Sequence, residues 1–215
     1  QGRTLAHATH LRVARPDTLI DLPASTRRNL ELTHTLRGDT SPTLFSLIDT
    51  AQTGMGSRCL KSWLLEPERD RRAATERLQA IAWLRDWSHG QGLDSLRRLL
   101  RACADAERIA ARTALRQVRP RELVALGNTL EQALHISELI SQYCRAQTAI
   151  FPDKTQAMPG DCGGEASAPA THNGLPALLG RMAGQLQPPP GCTELLRRAI
   201  LPEPAALVRD GGVIN

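Results

Sequence analysis

The sequence predicts an all-α fold, a bundle of helices packed through aliphatic side chains. Three observations carry this. Aromatic residues make up only 3% of the chain, whereas sheets draw on aromatic and β-branched side chains. Leu123, Leu126, Leu130, Leu134 and Ile140 recur near the helical period. Proline and glycine fall between such stretches, in "RGDTSP", "TGMG" and "QPPPG". At 215 residues the chain is long enough to bury a sizeable core.

Residues 1–22 form a lead-in whose run "TLID" (Leu19, Ile20) suits an edge strand. A helical core is predicted over 23–147. Its first helix starts near Pro23, because proline's missing N–H is unpaired anyway at a first helical position. Ser41 as N-cap and Pro42 as first residue place a second helix over about 42–51, with Leu44, Leu47 and Ile48 on one face. "TGMG" reads as a break, with a third helix over about 57–65 ended by Pro67. A longer helix over about 70–88 turns Leu78, Ile81 and Leu84 inward. Leu93, Leu96, Leu100 and Cys103 mark the next, continued or followed by "DAERIAARTALR", and Pro120 starts the longest helix. Residues 148–174, rich in Pro, Gly, Ala, Ser and Thr, read as a flexible loop or insert. Residues 175–215 close the core with helical pattern at Leu175, Leu178, Leu179, Met182 and Leu186 and a short helix in "CTELLRRAI". The final "ALVRDGGVIN" is expected to lie beside "TLID", a short strand pairing near the two ends.

The formal charge is +5, from 27 basic and 22 acidic residues. A basic balance admits nucleic acid as a partner. Only Lys61 and Lys154 are lysines; the arginines are scattered among acids along the helices. Five widely spaced cysteines without a C-x-x-C pair point to a reduced, cytoplasmic protein. No long apolar run predicts a membrane span. The chain opens without Met and stops at "RDGGVIN", so it is expected to be a piece of something larger.

Catalytic patterns are missing. Neither lysine sits in a Gly-Lys-Ser/Thr loop, and there is no G-x-G-x-x-G or G-x-S-x-G. His7 and His10 are spaced by three but lack a third ligand nearby, so no metal is expected. Asp105 and Glu107, at i and i+2, point apart on a helix and read as surface or helix-contact charges. Cys59, among apolar neighbours, reads as a buried small hydrophobe. Two basic clusters remain, Arg69, Arg71 and Arg72, and Arg97, Arg98 and Arg101. The second is the candidate for weak phosphate contact. No aromatics interleave with it to make a stacking platform.

One string is specific without visible chemistry: "STRRNLELTHTLRGDTSPTLFSLIDTAQTGMGSRCLKSWLLEPERD". It resembles the central region of the MutS family of DNA mismatch repair proteins, where A-x-T-R-R-N-L-E-L precedes a T-x-M-G-x-R-L-L-x-x-W-L run. Arg27, Arg28, Asn29, Leu30, Thr53, Met55, Gly56, Arg58 and Trp63 match. "DAERIAARTALRQVRPREL" is similar to a second family segment and supplies Glu107, Arg108, Arg112, Arg119 and Pro120; Asp210, Gly211 and Gly212 match a third, D-G-G-V-I. Departures are Pro23 in place of an acid, which loses that side-chain cap unless Asp21 substitutes, Ala106 and Ala110 in place of Leu, and Cys59 in place of an apolar residue.

The resemblance implies part of a core, or lever, domain, structural and without catalysis or a cofactor of its own. In the parent protein it implies an ATPase using ATP and Mg elsewhere, mismatched double-stranded DNA, the other MutS domains, a MutS homodimer and a MutL-type partner. It also implies that this core couples the ATPase to the DNA-gripping domains. Gly54 and Gly56 are expected to make a close-packed turn through backbone freedom. From the residues alone, an Arg-rich helical nucleic-acid-binding module and a free-standing helical adaptor stay open.

Overall fold

The computed structural model describes residues 18–87, 92–150, 175–205 and 212–214, with residues 146–150 as backbone alone. Nine helices run through the described residues: α1 (Ala24–Asn29), α2 (Leu44–Ile48), α3 (Gly54–Leu65), α4 (Arg71–Trp87), α5 (Gly92–Arg101), α6 (Ala106–Ala114), α7 (Pro120–Ile150), α8 (Ala177–Gln185) and α9 (Cys192–Ala199). The fold is all-α and bundle-like, as the composition and leucine spacing predict.

The spine is α7. Its 31 residues span about 46 Å at ~1.5 Å per residue, and α5, α6, α8 and α9 all pack on it. Pro120 opens this helix, as predicted. Trp87, Ile136, Ile140 and Ala183 form its buried cluster with α4 and α8. The scarce aromatics are concentrated here. Tyr143 lies edge-on to Trp83 and stacked on Trp87, with ring centroids 4.9 Å away in both cases. Such rings supply much of the buried apolar area in an aliphatic protein.

Two hydroxyls tie the helices to the spine. Thr129 Oγ1 accepts the Ala104 N–H at 2.9 Å and donates to the Ala125 carbonyl at 2.7 Å, fixing the α5–α6 corner. Ser137 Oγ donates to the Ala183 carbonyl at 3.0 Å, fixing α8. Both threonine and serine are buried, so these bonds satisfy groups that would otherwise be costly.

Several local expectations are corrected. In α4 the inward stripe is Ala80, Trp83, Leu84 and Trp87, at i, i+3, i+4 and i+7; Leu78 and Ile81 are 65% and 51% exposed. The two tryptophans set the buried face and rotate the aliphatics outward. The second helix is shorter than expected because Thr43, extended at φ −134° and ψ 164°, is its N-cap, in a capping box with Ser46. Leu44, Leu47 and Ile48 are all exposed. "TGMG" is not a break: Thr53 caps α3 and Gly54 is its first residue. Pro23 occupies the N-cap of α1 and no side chain caps that helix, so Asp21 does not substitute. Ala110 faces solvent while Ile109 is buried, so the small residue at 110 empties no core.

The two ends also pair differently. Leu19 bridges antiparallel to Glu68, and Ile200 to Ile214. "TLID" meets the chain leaving α3, where the Ile20 N–H reaches the Pro67 carbonyl at 2.8 Å and the Arg69 N–H reaches the Thr18 carbonyl at 3.0 Å. These local bonds satisfy the edge that the last residues were expected to cover. His7, His10, Asp210, Gly211 and residues 151–174 of the expected loop lie outside the described residues.

Gly92 fits only as glycine: a Cβ there would lie 1.6 Å from Nε1 of the buried Trp87. Gly92→Ala is expected to destabilise the chain by about 1–3 kcal/mol, the usual cost of overpacking, read as a lower urea midpoint.

Candidate functional site

Residues 18–70 hold most of the family-like string yet bury little; Leu32 and Thr43 are their only buried residues. What distinguishes them is a set of polar contacts to the bundle. α3 begins where Thr53 Oγ1 accepts the Gly56 N–H at 2.9 Å. A Cβ on Gly56 would stand 3.1 Å from that oxygen and 3.4 Å from the Ala51 Cβ, so this glycine makes room for the cap. Neither Gly54 nor Gly56 has a positive φ. The expected backbone freedom is therefore not their role, and Gly54 would accept a Cβ in ordinary contact.

One turn into α3, Arg58 reaches the start of α6. Its Nη1 and Nη2 donate to Asp105 Oδ2 and Oδ1 at 2.6 and 2.9 Å, and Nη2 also donates to Glu107 Oε2 at 2.6 Å. The two acids that were expected to point apart thus converge. Asp105 is the N-cap of α6, at φ −76° and ψ 80°, outside the helix. The helical i, i+2 argument does not apply to it. Asp105 also accepts the Arg108 N–H at 3.2 Å, while Arg108 Nε lies 3.5 Å from it. The hydrogen bonds from Arg58 hold the Asp105 carboxyl down at about 2, outweighing its partial burial. The same bonds, first to Asp105 and then to Glu107, push the Arg58 guanidinium up.

Further contacts flank this pair. Arg101 Nε donates to Gln52 Oε1 at 2.5 Å. Arg77 of α4 lies 3.9 Å over the Trp63 ring and 3.2 Å from Glu68. Ser57 Oγ donates to Asp49 Oδ2 at 2.5 Å. Behind Asp105, the Thr129 bond to Ala104 fixes the α5–α6 corner on α7. Glu122 accepts the Arg119 N–H at 2.9 Å and pairs with Arg112 at 2.8 Å, joining α6 to the first turn of α7.

The remaining predicted residues are dispersed. Arg28 donates to the Leu36 carbonyl at 3.4 Å, Asn29 ends α1, and Leu30 is exposed. Arg27 and Met55 are half-buried, and Gly212 adopts φ +62°. Of the candidate phosphate contacts, Arg97 lies 3.6 Å from Asp94, Arg98 donates to Ser95 at 2.9 Å, and Arg101 is the Gln52 partner. Cys59 is exposed, not buried, because α3 turns it away from the bundle. No group of three His, Cys, Asp or Glu among the described residues is placed to hold a metal ion, and no described helix is long and apolar enough to cross a membrane. The sequence carries no sign of Gln52 and Thr129 as joining residues, and it leaves Asp105 as either a surface or a helix-contact charge. Asp105 two residues before "ERI" carried the one usable signal, that of an N-cap.

Arg58, Arg77, Arg112 and Thr129 all spend their polar groups on joining one helix to another. This defines the chain as a structural helical domain. The family model for MutS domain III matches residues 25–215, and the chain belongs to that family. MutS domain III is part of the MutS mismatch repair protein.

Two outcomes are expected here. Asp105 has a folded pKa below its ordinary 3.8, so its pairing stabilises the fold above that value and the contribution is lost as pH falls through about 2. Asn caps a helix as well as Asp does, so Asp105→Asn keeps the cap and removes the charge together with one of the two oxygens that accept from Arg58. Its urea midpoint should lie below wild type at about pH 7 and the two should converge between about pH 4 and 2. Thr129→Val leaves the Ala104 N–H unpaired and should cost about 1–3 kcal/mol in chemical denaturation.

Proposed function

We propose that this chain is the lever part of a MutS-type mismatch recognition protein, and that it couples an ATPase elsewhere in that protein to the parts that grip DNA. The observation that supports this best is α7, a single helix of 31 residues with four other helices packed along it. A rod braced in this way transmits displacement from end to end as a rigid body. The Arg58–Asp105 bond then attaches α3 to the start of α6, which itself packs on that rod.

On this reading the chain performs no catalysis and holds no cofactor. ATP and Mg are bound by the ATPase. Mismatched double-stranded DNA, the other MutS domains, a second MutS subunit and a MutL-type protein are the partners, in the cytoplasm. Arg97, Arg98 and Arg101 add electrostatic attraction for phosphate.

The test uses the full-length protein. Arg58→Gln and Thr129→Val are compared with wild type in three measurements: mismatched-duplex affinity without nucleotide, ATP hydrolysis without DNA, and the change in DNA affinity on adding ATP. Coupling free energies between sites lie in the range of about 5–150-fold in affinity. The first two measurements should stay within about twofold of wild type while the third weakens roughly tenfold. ATP-dependent DNA affinity identical to wild type in both folded variants would remove the coupling role. A weak loss of duplex affinity is expected in a folded Arg97, Arg98 and Arg101 triple Gln variant; loss of nearly all of it would favour the nucleic-acid-binding reading.

A further inference from the structure

We infer that residues 18–69 form a layer closed on itself at its base and held on the α4–α9 bundle by a charge latch, so that the layer opens as a unit while the bundle stays folded.

The layer's closure is visible in the backbone. Its first residues, Thr18 to Ile20, bond to its last, Pro67 to Arg69, through the Ile20–Pro67 and Arg69–Thr18 hydrogen bonds. Arg69 Nε adds a bond to the Leu19 carbonyl at 2.7 Å. Chain in and chain out are therefore tied at one point, which is the geometry of a pivot. Within the layer Leu32 and Thr43 are buried, but α1, α2 and α3 bury no residue of their own. The buried cluster of Trp87, Ile136, Ile140 and Ala183 belongs wholly to α4, α7 and α8.

Contacts that fasten the layer to the bundle carry charge: Arg58 with Asp105 and Glu107, Arg77 with Glu68 and against Trp63, and Arg101 with Gln52. Around Asp105 two guanidiniums, Arg58 and Arg108, face two carboxylates, Asp105 and Glu107. The side chains of the central pair are 35% and 25% exposed, and Glu107 is 75% exposed. Solvent and ions reach them. Salt shortens the reach of such charges from about 10 Å at 0.1 M to about 3 Å at 1 M, and leaves apolar burial intact or strengthened. The bidentate Arg58–Asp105 geometry gives the closed state one orientation. Opening requires the guanidinium contacts of Arg58, Arg77 and Arg101 to let go. This latch stands independently of the coupling role proposed above.

The test is amide hydrogen exchange on the full chain at about 0.05 and 0.5 M NaCl. Amides of α1–α3 should exchange roughly tenfold faster at the higher salt, with α7 and α8 unchanged. Arg58→Gln should show a faster rate already at low salt and lose most of the salt response; Arg58→Lys, which keeps the charge but not the fork, should fall between. Glu107→Gln, a milder change at an exposed position, should shift α1–α3 in the same direction, and it serves where Arg58→Gln does not fold. Exchange of α1–α3 that ignores salt, or that accelerates in step with α7, would overturn the latch. So would an Arg58→Gln or Glu107→Gln chain with an undiminished salt response. A salt-opened layer in a protein whose ATP–DNA coupling survives Arg58→Gln would leave the latch standing and remove the coupling role alone.

Discussion

The Asp105 carboxylate stands where three parts of the chain meet. It caps α6 by accepting the Arg108 N–H, it receives the guanidinium of Arg58 from α3, and it follows Ala104, whose N–H is held by Thr129 of α7. Each role constrains the others. Thr129 fixes the corner on the spine, the corner fixes the cap, and the cap aims both oxygens at one arginine. A carboxylate with fewer partners would be a surface charge of small consequence. Here the bidentate pair gives a direction as well as an attraction, and it orients α3 against the start of α6.

What the sequence disclosed follows from the physics of each signal. The helical class was legible because it rests on leucine periodicity summed over many residues, and α7 shows it best, with Pro120 marking its first turn. Helix starts at residues 43 and 53 were misplaced because Ser41 and the glycines of "TGMG" offered equally plausible local signals; the structure uses the threonines, whose hydroxyls meet Ser46 and Gly56 N–H groups. Aliphatic spacing does not reveal the buried face of α4, because Trp83 and Trp87 set it. These errors displace boundaries and faces, and they leave the class untouched.

The site was less legible, for a different reason. Arg58 and Asp105 are 47 residues apart, and no local pattern pairs them. Resemblance to a family marked Arg58, Glu107 and Arg108 as positions of note without saying that two of them touch. The i, i+2 rule set Asp105 and Glu107 on different faces because it assumed that both were inside the helix, whereas the first lies just before it. Long-range polar contacts depend on tertiary placement, and a rule drawn from one element cannot supply that.

The chemistry of this joint suits a part that moves better than one that is only held. Had α1–α3 buried an apolar face as Trp87 and Ile136 do on α7, separation would expose hydrocarbon to water at roughly 25 cal/mol for each Å², and the layer would be welded. A partly exposed ion pair is different: on opening, its charges recover water for most of what they lose in each other. The closed state is then specific but shallow. Arginine serves this better than lysine, because its planar fork meets both Asp105 oxygens together and still has an N–H group for Glu107. The bundle supplies rigidity through Trp83, Trp87 and Tyr143, and the layer keeps a reversible attachment through Arg58. On the proposed latch, a single chain combines a stiff bundle with a detachable layer.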